Sequence, residues 1–258
     1  MQEGAVHLKL EGPIAWVTFD RPAARNAMTW AMYEQLRAIC EQLRADRAVR
    51  VACLRGAGGA AFVAGTDIAQ FQSFASGEDG IAYERQVDAT TALLESLPMP
   101  TVAVVEGWAI GGGLAIATVC DFRIATPAAK FGVPIARTLG NCLSIGNVAR
   151  LVAAFGRPRV ERLLLLADLL PADEALACGF VLRLEPPDAI EAAARTLCER
   201  LAALAPVTQQ VSKEALNRLL RHDLPAADDL IRRAYGSADF REGVRAFVDK
   251  RVPAWRGV

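Results

Sequence analysis

The sequence predicts a mixed α/β fold, with strands concentrated in the first half and helices in the second. Short β-branched apolar runs, such as residues 51–54 and 102–105, indicate buried strands. From Ser144 onward the apolar spacing is almost wholly helical and is broken by glycine and proline. A chain of 258 residues that is 53% hydrophobic can bury a large core as one domain, or as one domain with a small appendage. We expect the helices to pack beside that core or on a neighbouring subunit.

Turn and capping signals predict the first elements. Residues 7–10 and 14–19 flank a Glu-Gly-Pro turn and are expected to form a hairpin. A loop over residues 20–27 follows, and then Thr29 is a suitable N-cap for a helix that runs through Arg44. Residues 51–54 are predicted as a strand that glycines end, and residues 62–68 as an apolar segment around a glycine turn.

The middle of the chain alternates loops, a helix and strands. Residues 70–80 are polar and are predicted as a mobile surface loop rather than a lid. Residues 83–97 show a helical pattern that two prolines stop. Residues 122–125 are predicted as a strand and residues 131–142 as a loop.

The segment from residue 101 to residue 127 contains three consecutive glycines, Gly111, Gly112 and Gly113. A β-branched strand precedes them and an apolar helix over residues 114–119 follows. Glycine has no Cβ, so its N–H can point at a ligand without a side chain in the way. A helix N-terminus adds unpaired N–H donors and partial positive charge. This arrangement favours an anion or oxyanion site.

Three other interpretations of this segment were weighed. Gly107 and Gly111 form a GxxxG pair typical of membrane helices, but Glu106 and the strand-like start argue against a membrane span. The segment contains neither GxGxxG nor a GK[ST] ending, so it does not match a nucleotide-binding loop. Tight packing of a strand on a helix, with no ligand, remains open.

Composition excludes several classes of function. The 29 basic and 29 acidic residues give a formal net charge of zero, so a nucleic-acid or membrane-surface role has no support. The first eleven residues lack the pattern of an export leader, and the six cysteines include no CxxC pair. We therefore expect a cytoplasmic protein with reduced thiols, disulfides being the minor alternative. The only histidines, His7 and His222, lie far apart in the chain, which argues against a histidine metal site or a Ser-His-Asp triad.

A series of motifs, in order along nearly the whole chain, carries a resemblance to a known family. They are DRPAARNA at residues 20–27, FVAGTDI at 62–68, GWAIGGG at 107–113, CDFRIA at 120–125, FGVP at 131–134 and EGVRAFVDKR at 242–251. Together they resemble the crotonase family, the enoyl-CoA hydratase/isomerase superfamily.

The resemblance implies a crotonase-like core of repeated ββα turns over residues 1–200 and a C-terminal helical region for trimerisation over residues 201–258. It implies a homotrimer or homohexamer that binds an acyl-CoA thioester, with coenzyme A entering only as part of the substrate and no other cofactor or metal. The thioester carbonyl would be polarised by the backbone N–H groups of Thr66 and Gly112. The CoA moiety would be bound by Ala23, Ala24, Arg25, Ala64, Gly65, Asp67, Ile68, Gly111 and, in an adjacent subunit, Lys250.

Physical chemistry agrees with the oxyanion assignment. A thioester enolate places negative charge on the carbonyl oxygen, and each preorganised donor contributes roughly 3 kcal/mol to the transition state. The resemblance implies a smaller residue at position 66, where this chain has threonine. Because the donors are backbone N–H groups, this difference does not remove a donor. For Asp67 a turn or helix cap is preferred over a catalytic role.

The resemblance fails at the groups that would move protons. The hydratases of the family carry two glutamates, whose positions here are Ala115 and Ile135, so ordinary hydratase chemistry is doubtful. The following loop is one residue longer and brings Arg137, Asn141 and Cys142 toward the acyl pocket. Arg137 either binds a substrate carboxylate or forms a surface salt bridge, and Cys142 is expected to be a buried structural thiol.

Three hypotheses follow from these departures. The first is a lyase or isomerase that uses either an acid carried by the substrate or a relocated acid, for which the candidates on one helix are Glu84, Asp88 and Glu95. The second is enolate chemistry without a strong base, such as decarboxylation of a malonyl-type thioester, or thioester hydrolysis. The third is a non-catalytic acyl-CoA-binding protein. The oxyanion pair favours the first two.

Overall fold

The computed structural model describes residues 4–256. Residues 1–3, which begin the stretch searched for an export leader, and residues 257–258, which end the predicted C-terminal region, lie outside the described residues. Within residues 4–256 the strands form two sheets, one of six strands and one of four. The bounds of the strands are β1 Ala5–Glu11, β2 Ile14–Asp20, β3 Val51–Gly56, β4 Ala61–Val63, β5 Thr101–Val105, β6 Trp108–Ile110, β7 Phe122–Ala125, β8 Lys130–Gly132, β9 Leu169–Pro171 and β10 Arg183–Leu184.

The larger sheet has the order β1-β2-β3-β5-β7-β10. The hairpin of β1 and β2 is antiparallel, as predicted, and all later pairings in this sheet are parallel. Every residue of β5 is buried, which explains its continuous β-branched sequence, since a parallel strand is covered on both faces. The smaller sheet has the order β4-β6-β8-β9, in which only the pairing of β8 with β9 is antiparallel.

Helices cover both faces of the larger sheet. One buried cluster joins it to helices that precede and follow the glycine segment, and a second, which includes Val51, Val102 and Ile190, joins it to a helix of the second half. The bounds of the helices are α1 Trp30–Ala45, α2 Gly77–Glu95, α3 Gly112–Val119, α4 Ile135–Thr138, α5 Ile145–Phe155, α6 Arg157–Leu165, α7 Ala172–Ala177, α8 Ile190–Ala202, α9 Pro206–Arg221, α10 Asp228–Tyr235 and α11 Ala238–Val248.

The C-terminal helices pack back onto the core. Lys213 of α9 donates to Asp121 at 2.7 Å and to the carbonyl oxygen of Met99 at 3.1 Å. Helix α10 packs along α2, where the ring of Tyr235 lies against Gly80 so closely that a Cβ there would be 2.2 Å from it. A third buried cluster unites Ile231, Tyr235 and Phe240 with the segment before α2. Residues of the C-terminal region therefore lie beside the same part of the core as α2.

Several local predictions are confirmed and several are wrong. Thr29 caps α1, its side chain accepting the N–H of Met32. Residues 70–80 are not a plain loop: a 3₁₀ helix, Ile68–Ser73, buries Phe71, and α2 begins at Gly77. The predicted loop over residues 131–142 contains the end of β8 and all of α4, and two short strands, β9 and β10, interrupt the helical second half.

The cysteines and the helices add two further findings. All six cysteines are free, and four of them are buried. No helix within residues 4–256 is both long enough and apolar enough to cross a membrane.

Candidate active site

A largely apolar cavity of about 580 Å³ lies between the turn that precedes α3, the turn that follows β4 and the segment that follows β8. It gathers most of the site residues predicted from the sequence. Those that line it are Ala24, Arg25, Ala64, Gly65, Thr66, Asp67, Ile68, Gly111, Gly112, Ile135, Arg137 and Asn141. The others, Ala23, Ala115, Cys142 and Lys250, are not among its lining residues.

Two glycine turns bring the backbone close on either side of the cavity. Gly65 has φ of +100° and Gly111 has φ of +54°, conformations that side chains with a Cβ rarely adopt. A Cβ at Gly111 would lie 3.8 Å from the Cα of Gly65, so the two turns face each other. Helix α3 packs so tightly behind them that a Cβ at Gly113 would be 1.9 Å from the carbonyl oxygen of Val63. The glycine segment thus serves close packing and a ligand-sized cavity together.

The backbone N–H groups of Thr66 and Gly112 are unpaired within residues 4–256. Thr66 forms a parallel bridge with Met28, in which Gly65 accepts and Asp67 donates. In such a bridge the middle residue's own N–H points to the opposite side. Gly112 is the first residue of α3, where a helical N–H has no partner in its own helix. Both residues line the cavity, so two orphan donors are available to a ligand there.

The side chain of Thr66 is held by two phenols. Its Oγ1 lies 2.8 Å from the hydroxyl of Tyr33 and 2.9 Å from that of Tyr83. Burial raises the pKa of Tyr33 to about 12 and that of Tyr83 well above its ordinary value. The phenols are therefore neutral hydrogen-bonding groups that fix the turn. The same cluster bounds Gly112, because a Cβ there would be 2.5 Å from the Tyr33 hydroxyl.

Asp67 has a structural role, as preferred from the sequence. Its Oδ1 accepts the N–H of Ala69 and caps the 3₁₀ helix. Its Oδ2 lies 2.8 Å from a guanidinium nitrogen of Arg21, whose side chain is 7% exposed. The loop that carries Arg21 is held by Asn26, whose amide donates to the carbonyl oxygens of Ala57 and Ala61.

Two arginines lining the cavity have no acidic partner in the described part of the chain. The guanidinium of Arg25 lies 5.8 Å from the ring centroid of Trp108, and Arg137 stands exposed near the end of α4. Neither forms an ion pair with any residue that the structure describes. The surface salt bridge expected as one alternative for Arg137 is therefore not formed with any acidic residue between residues 4 and 256. Unpaired guanidinium groups of this kind are suited to carboxylates or phosphates.

The two positions that lack glutamate differ in their surroundings. Ile135 lines the cavity at the first turn of α4. Ala115 is buried in α3 and faces a separate void of about 10 Å³, which Leu143, Asn147 and Arg150 also line. The cavity wall is thus apolar at Ile135, and the void beside Ala115 is too small for a further side chain.

The extended loop before α5 supplies an amide but no reactive thiol. Asn141 lines the cavity and donates through Nδ2 to the hydroxyl of Tyr235 at 3.0 Å. Its Oδ1 is buried and has no hydrogen-bond partner in the described part of the chain. Cys142 is half-buried rather than buried, as had been expected. Burial, and next the nearby Glu84 carboxylate, raises the pKa of its thiol to about 12.

Of the three candidate acids that the sequence indicated on α2, Glu84 alone lines the cavity. It is 3% exposed. Its Oε1 accepts the Tyr235 hydroxyl at 2.6 Å and its Oε2 accepts the N–H of Ser144 at 2.9 Å. Burial raises its pKa to about 7, against the opposing effect of these hydrogen bonds. Asp88 and Glu95, by contrast, are paired with Arg150 behind the cavity wall.

Lys250 lies in the turn after α11, where it is exposed and has φ of +54°. Lys250 is therefore not part of the cavity of its own chain. The described residues contain no cluster of three or more histidine, cysteine, aspartate or glutamate side chains placed to hold a metal ion.

Sequence reasoning missed several lining residues. Phe71 was hidden in a polar stretch, and Trp108 preceded the glycines without a signal of its own. Leu143, Leu169 and Phe247 come from distant parts of the chain. No local sequence signal singles out Leu169, which lies in a leucine-rich stretch.

Known proteins resemble this chain throughout its length. The family model described as enoyl-CoA hydratase/isomerase matches residues 9–258. A short-chain-enoyl-CoA hydratase of Clostridium acetobutylicum is 32% identical over 255 residues, which cover 97% of each protein.

Two solved structures extend the comparison. An enoyl-CoA hydratase/carnithine racemase from Magnetospirillum magneticum has a TM-score of 0.81 and 32% identity, covering 100% of this chain and 97% of that one. A methylmalonyl-CoA decarboxylase complexed with 2S-carboxypropyl-CoA has a TM-score of 0.89 and 25% identity, covering 100% and 99%.

Proposed function

This chain belongs to the enoyl-CoA hydratase/isomerase family, and from that membership we propose that it transforms an acyl-CoA thioester through an enolate held by the N–H groups of Thr66 and Gly112. The observation that carries the proposal is the pair of unpaired donors facing one apolar cavity. Donors of this kind act where negative charge develops, and a dry site strengthens them. A saturated or unsaturated acyl chain fits the apolar lining.

The positive charge around the cavity supports a CoA ligand. Arg25 and Arg137 have no internal acidic partner and can meet phosphate oxygens, while Trp108 offers an aromatic face. The loop of Ala23, Ala24 and Arg25 and the turn of residues 64–68 would line the CoA moiety. Lys250 would reach a CoA phosphate only in an adjacent subunit of a trimer or hexamer.

Ala115 and Ile135 take the places of the two hydratase glutamates in this proposal. Hydration needs one group to activate water and another to deliver a proton to the α-carbon. The wall at Ile135 is apolar and the void at Ala115 is only about 10 Å³, so neither position supplies a group that can transfer a proton. We therefore assign the chain to enolate chemistry other than ordinary hydration.

The test is exchange of the α-protons of butyryl-CoA in D₂O, followed by mass spectrometry. Gly112→Pro deletes the N–H, and proline is accepted at the first position of a helix. Because a Cβ at position 112 would meet the Tyr33 hydroxyl at 2.5 Å, the change is made in a Tyr33→Phe background. Gly112→Ala in the same background keeps the N–H and is the matched control.

We expect exchange by the proline variant to fall about 100-fold below that of the alanine variant. Equal exchange by the two folded proteins would refute the oxyanion assignment. Circular dichroism and thermal unfolding establish that both are folded.

A second candidate function is decarboxylation of a malonyl-type thioester, which Arg137 favours. Its guanidinium lines the cavity without an internal partner and can bind a substrate carboxylate bidentately. Loss of CO₂ gives the same enolate without a base. Release of CO₂ from methylmalonyl-CoA by wild type would support this reaction. Arg137→Gln should then lose CO₂ release but keep the α-proton exchange of butyryl-CoA.

A further inference from the structure

Two carboxylates line the cavity, Asp67 and Glu84, and they differ in their partners. Asp67 is neutralised by Arg21 at 2.8 Å and caps a 3₁₀ helix. Glu84 forms no ion pair with any residue that the structure describes. Both oxygens of Asp67 therefore already have structural partners, the N–H of Ala69 and the guanidinium of Arg21. Glu84 is the cavity carboxylate that has no cation as a partner among the described residues.

Two hydrogen-bond donors fix the position of Glu84. The N–H of Ser144 donates to Oε2 from the start of α5, and the hydroxyl of Tyr235 donates to Oε1 from α10. Tyr235 in turn accepts the amide N–H of Asn141. The hydrogen-bond chain from Asn141 through Tyr235 to Glu84 therefore has one direction, and the phenolic proton points at the carboxylate. Each carboxylate oxygen keeps a second lone pair for another partner.

The groups around Glu84 are neutral or acidic. Tyr235 faces it from α10, Tyr33 from α1, Cys142 from the loop before α5, and Tyr83 and Asp88 from its own helix. Arg150, the nearest cation of this network, pairs with Asp88 and Glu95 rather than with Glu84. Burial raises the pKa of Glu84 to about 7, whereas the pKa values of the phenols and the thiol are also raised and lie far from neutrality. A group titrating near the working pH can both take and give a proton.

We propose that Glu84 is the acid–base group of this cavity: its carboxylate removes a proton from the α-carbon of the bound acyl-CoA, and its carboxylic acid returns a proton to the enolate. The inference rests on the function proposed above. It replaces the two missing glutamates with one carboxylate supplied by a different helix, α2. Tyr235 is a positioning residue that acts through Glu84.

The proton transfer balances without a co-reactant. The Cα–H bond breaks, its electron pair moves into the thioester to form the enolate, and the proton bonds to Glu84. Return of the proton to the α-carbon regenerates the substrate. Return to the γ-carbon of a β,γ-unsaturated chain, where the diene enolate also carries negative charge, completes an isomerisation. One carboxyl is sufficient for such a shift, which is why a single acid–base group suits isomerisation better than hydration.

The first experiment is α-proton exchange of butyryl-CoA in D₂O by wild type, Glu84→Gln and Asp88→Asn. Glutamine keeps the size of Glu84 and can accept from Ser144, and the Tyr235 oxygen can accept from its amide. Asp88→Asn is the matched control: it removes a carboxylate one turn further along α2, outside the cavity lining, and keeps an acceptor for the Ser144 hydroxyl. Binding of butyryl-CoA is measured for all three by isothermal titration calorimetry.

We expect Glu84→Gln to lose about 100-fold or more of the exchange rate and to bind butyryl-CoA within about threefold of wild type. Asp88→Asn should exchange within about threefold of wild type. A folded Glu84→Gln protein within about tenfold of wild type, or an equal loss in Asp88→Asn, would overturn the role of Glu84 and leave the enolate function standing. If wild type binds butyryl-CoA without exchanging its α-protons, the proposed function itself is wrong, and this inference fails with it.

The second experiment tests the link to Tyr235 through the pH profile. The Tyr235 hydroxyl stabilises the ionised carboxylate, so its loss raises the pKa of Glu84 further. Exchange by wild type should rise with pH through about pH 7 as the carboxylate forms. In Tyr235→Phe the midpoint should move to higher pH. An unchanged midpoint with a uniformly lower rate would mean that Tyr235 serves packing alone and would contradict the assignment.

Discussion

The hydroxyl of Tyr33 lies 2.8 Å from Oγ1 of Thr66, which connects α1 to the turn that offers one of the two proposed oxyanion donors. The hydroxyl of Tyr83 reaches the same oxygen at 2.9 Å from α2. A threonine at this position therefore does more than replace a smaller residue. Its hydroxyl ties the turn to two helices, so the direction of the Thr66 N–H is set by packing as well as by the bridge to Met28.

We predict that Tyr33→Phe and Tyr83→Phe each lower turnover without unfolding the protein. Each change removes one of two hydrogen bonds to Thr66, and a lost hydrogen bond costs about 1 kcal/mol of stability. The double variant should lose more than the sum, because the Thr66 hydroxyl is then unpaired and 7% exposed. Urea unfolding and α-proton exchange of butyryl-CoA measure the two effects. Additive losses would show that the phenols do not act on Thr66 jointly.

The sequence predicted those elements of the fold that depend on local signals. The Thr29 cap, the hairpin around Gly12 and the glycines at 111–113 each depend on a few neighbouring residues, and the structure has them as expected. The smaller sheet was missed because its strands are three residues long and are defined by partners far along the chain, as when Phe131 pairs with Leu170. No spacing rule detects a strand that short.

The side chains of the site were harder to predict than its backbone. Glu84 and Tyr235 are 151 residues apart, and only the packing of α10 on α2 brings their oxygens together. The sequence named Glu84 as one of three possible acids but had no means of choosing among them. The choice depends on which carboxylate receives an arginine: Asp88 and Glu95 contact Arg150, and Glu84 does not.

Stability should depend on pH through Glu84 with a defined sign. Its pKa is about 7 in the folded protein, above the value of 4.5 expected for an unfolded chain, so the folded state binds more protons between these values. The stabilisation is complete below the lower value and is lost as the pH rises through the higher one, by about 3 kcal/mol in total. Glu84→Gln lacks this dependence. Urea unfolding at pH 5 to pH 8 of both proteins isolates the difference.

If the difference in unfolding free energy between wild type and Glu84→Gln does not change over this range, the carboxyl titrates normally and burial does not control it. Other carboxylates contribute equally to both proteins and cancel in the comparison. Glu242, whose pKa is lowered to about 2 by Arg251 and next by the N–H of Ala254, is one of these.

The buried ion pair of Arg150 and Glu95 should be essential to folding. Arg150 donates twice to Glu95 at 3.1 Å, the two side chains are 9% and 5% exposed, and Arg221 of α9 reaches the same carboxylate. Glu95→Gln leaves a buried guanidinium short of its partner, which costs about 3 kcal/mol or more. Glu161→Gln, which breaks the exposed pair with Arg157, is the control and should change the unfolding free energy little. Similar losses in the two variants would contradict this prediction.

The exposed apolar side chains of the C-terminal helices predict self-association. Leu216, Leu219 and Phe247 are 67%, 77% and 52% exposed, whereas Ile231 is buried within the chain. We expect a trimer or hexamer by multi-angle light scattering. Leu216→Lys with Leu219→Lys should give smaller species, and the exposed change Glu214→Lys on the same helix is the control. A monomer at micromolar concentration would contradict the expectation.

The hydration of crotonyl-CoA tests the absence of the two glutamates. We predict that wild type binds short acyl-CoA thioesters but hydrates crotonyl-CoA very slowly, because each missing acid–base group is typically worth about 10²–10⁴-fold. Ile135→Glu places a carboxyl on the cavity wall and should raise the hydration rate by itself. Ala115→Glu enters a void of only about 10 Å³ beside Arg150, so we expect it to lower stability while adding the second group.

The double variant should therefore hydrate fastest and unfold most easily. The change in enoyl-CoA absorbance measures the rate, and Ala115→Gln with Ile135→Gln is the matched control, equal in size but unable to transfer protons. If the glutamine pair raises hydration as much as the glutamate pair, the effect comes from cavity shape and not from proton transfer. If wild type already hydrates crotonyl-CoA as fast as a good hydratase, Glu84 or another group supplies both protons, and Ala115 and Ile135 do not limit the reaction.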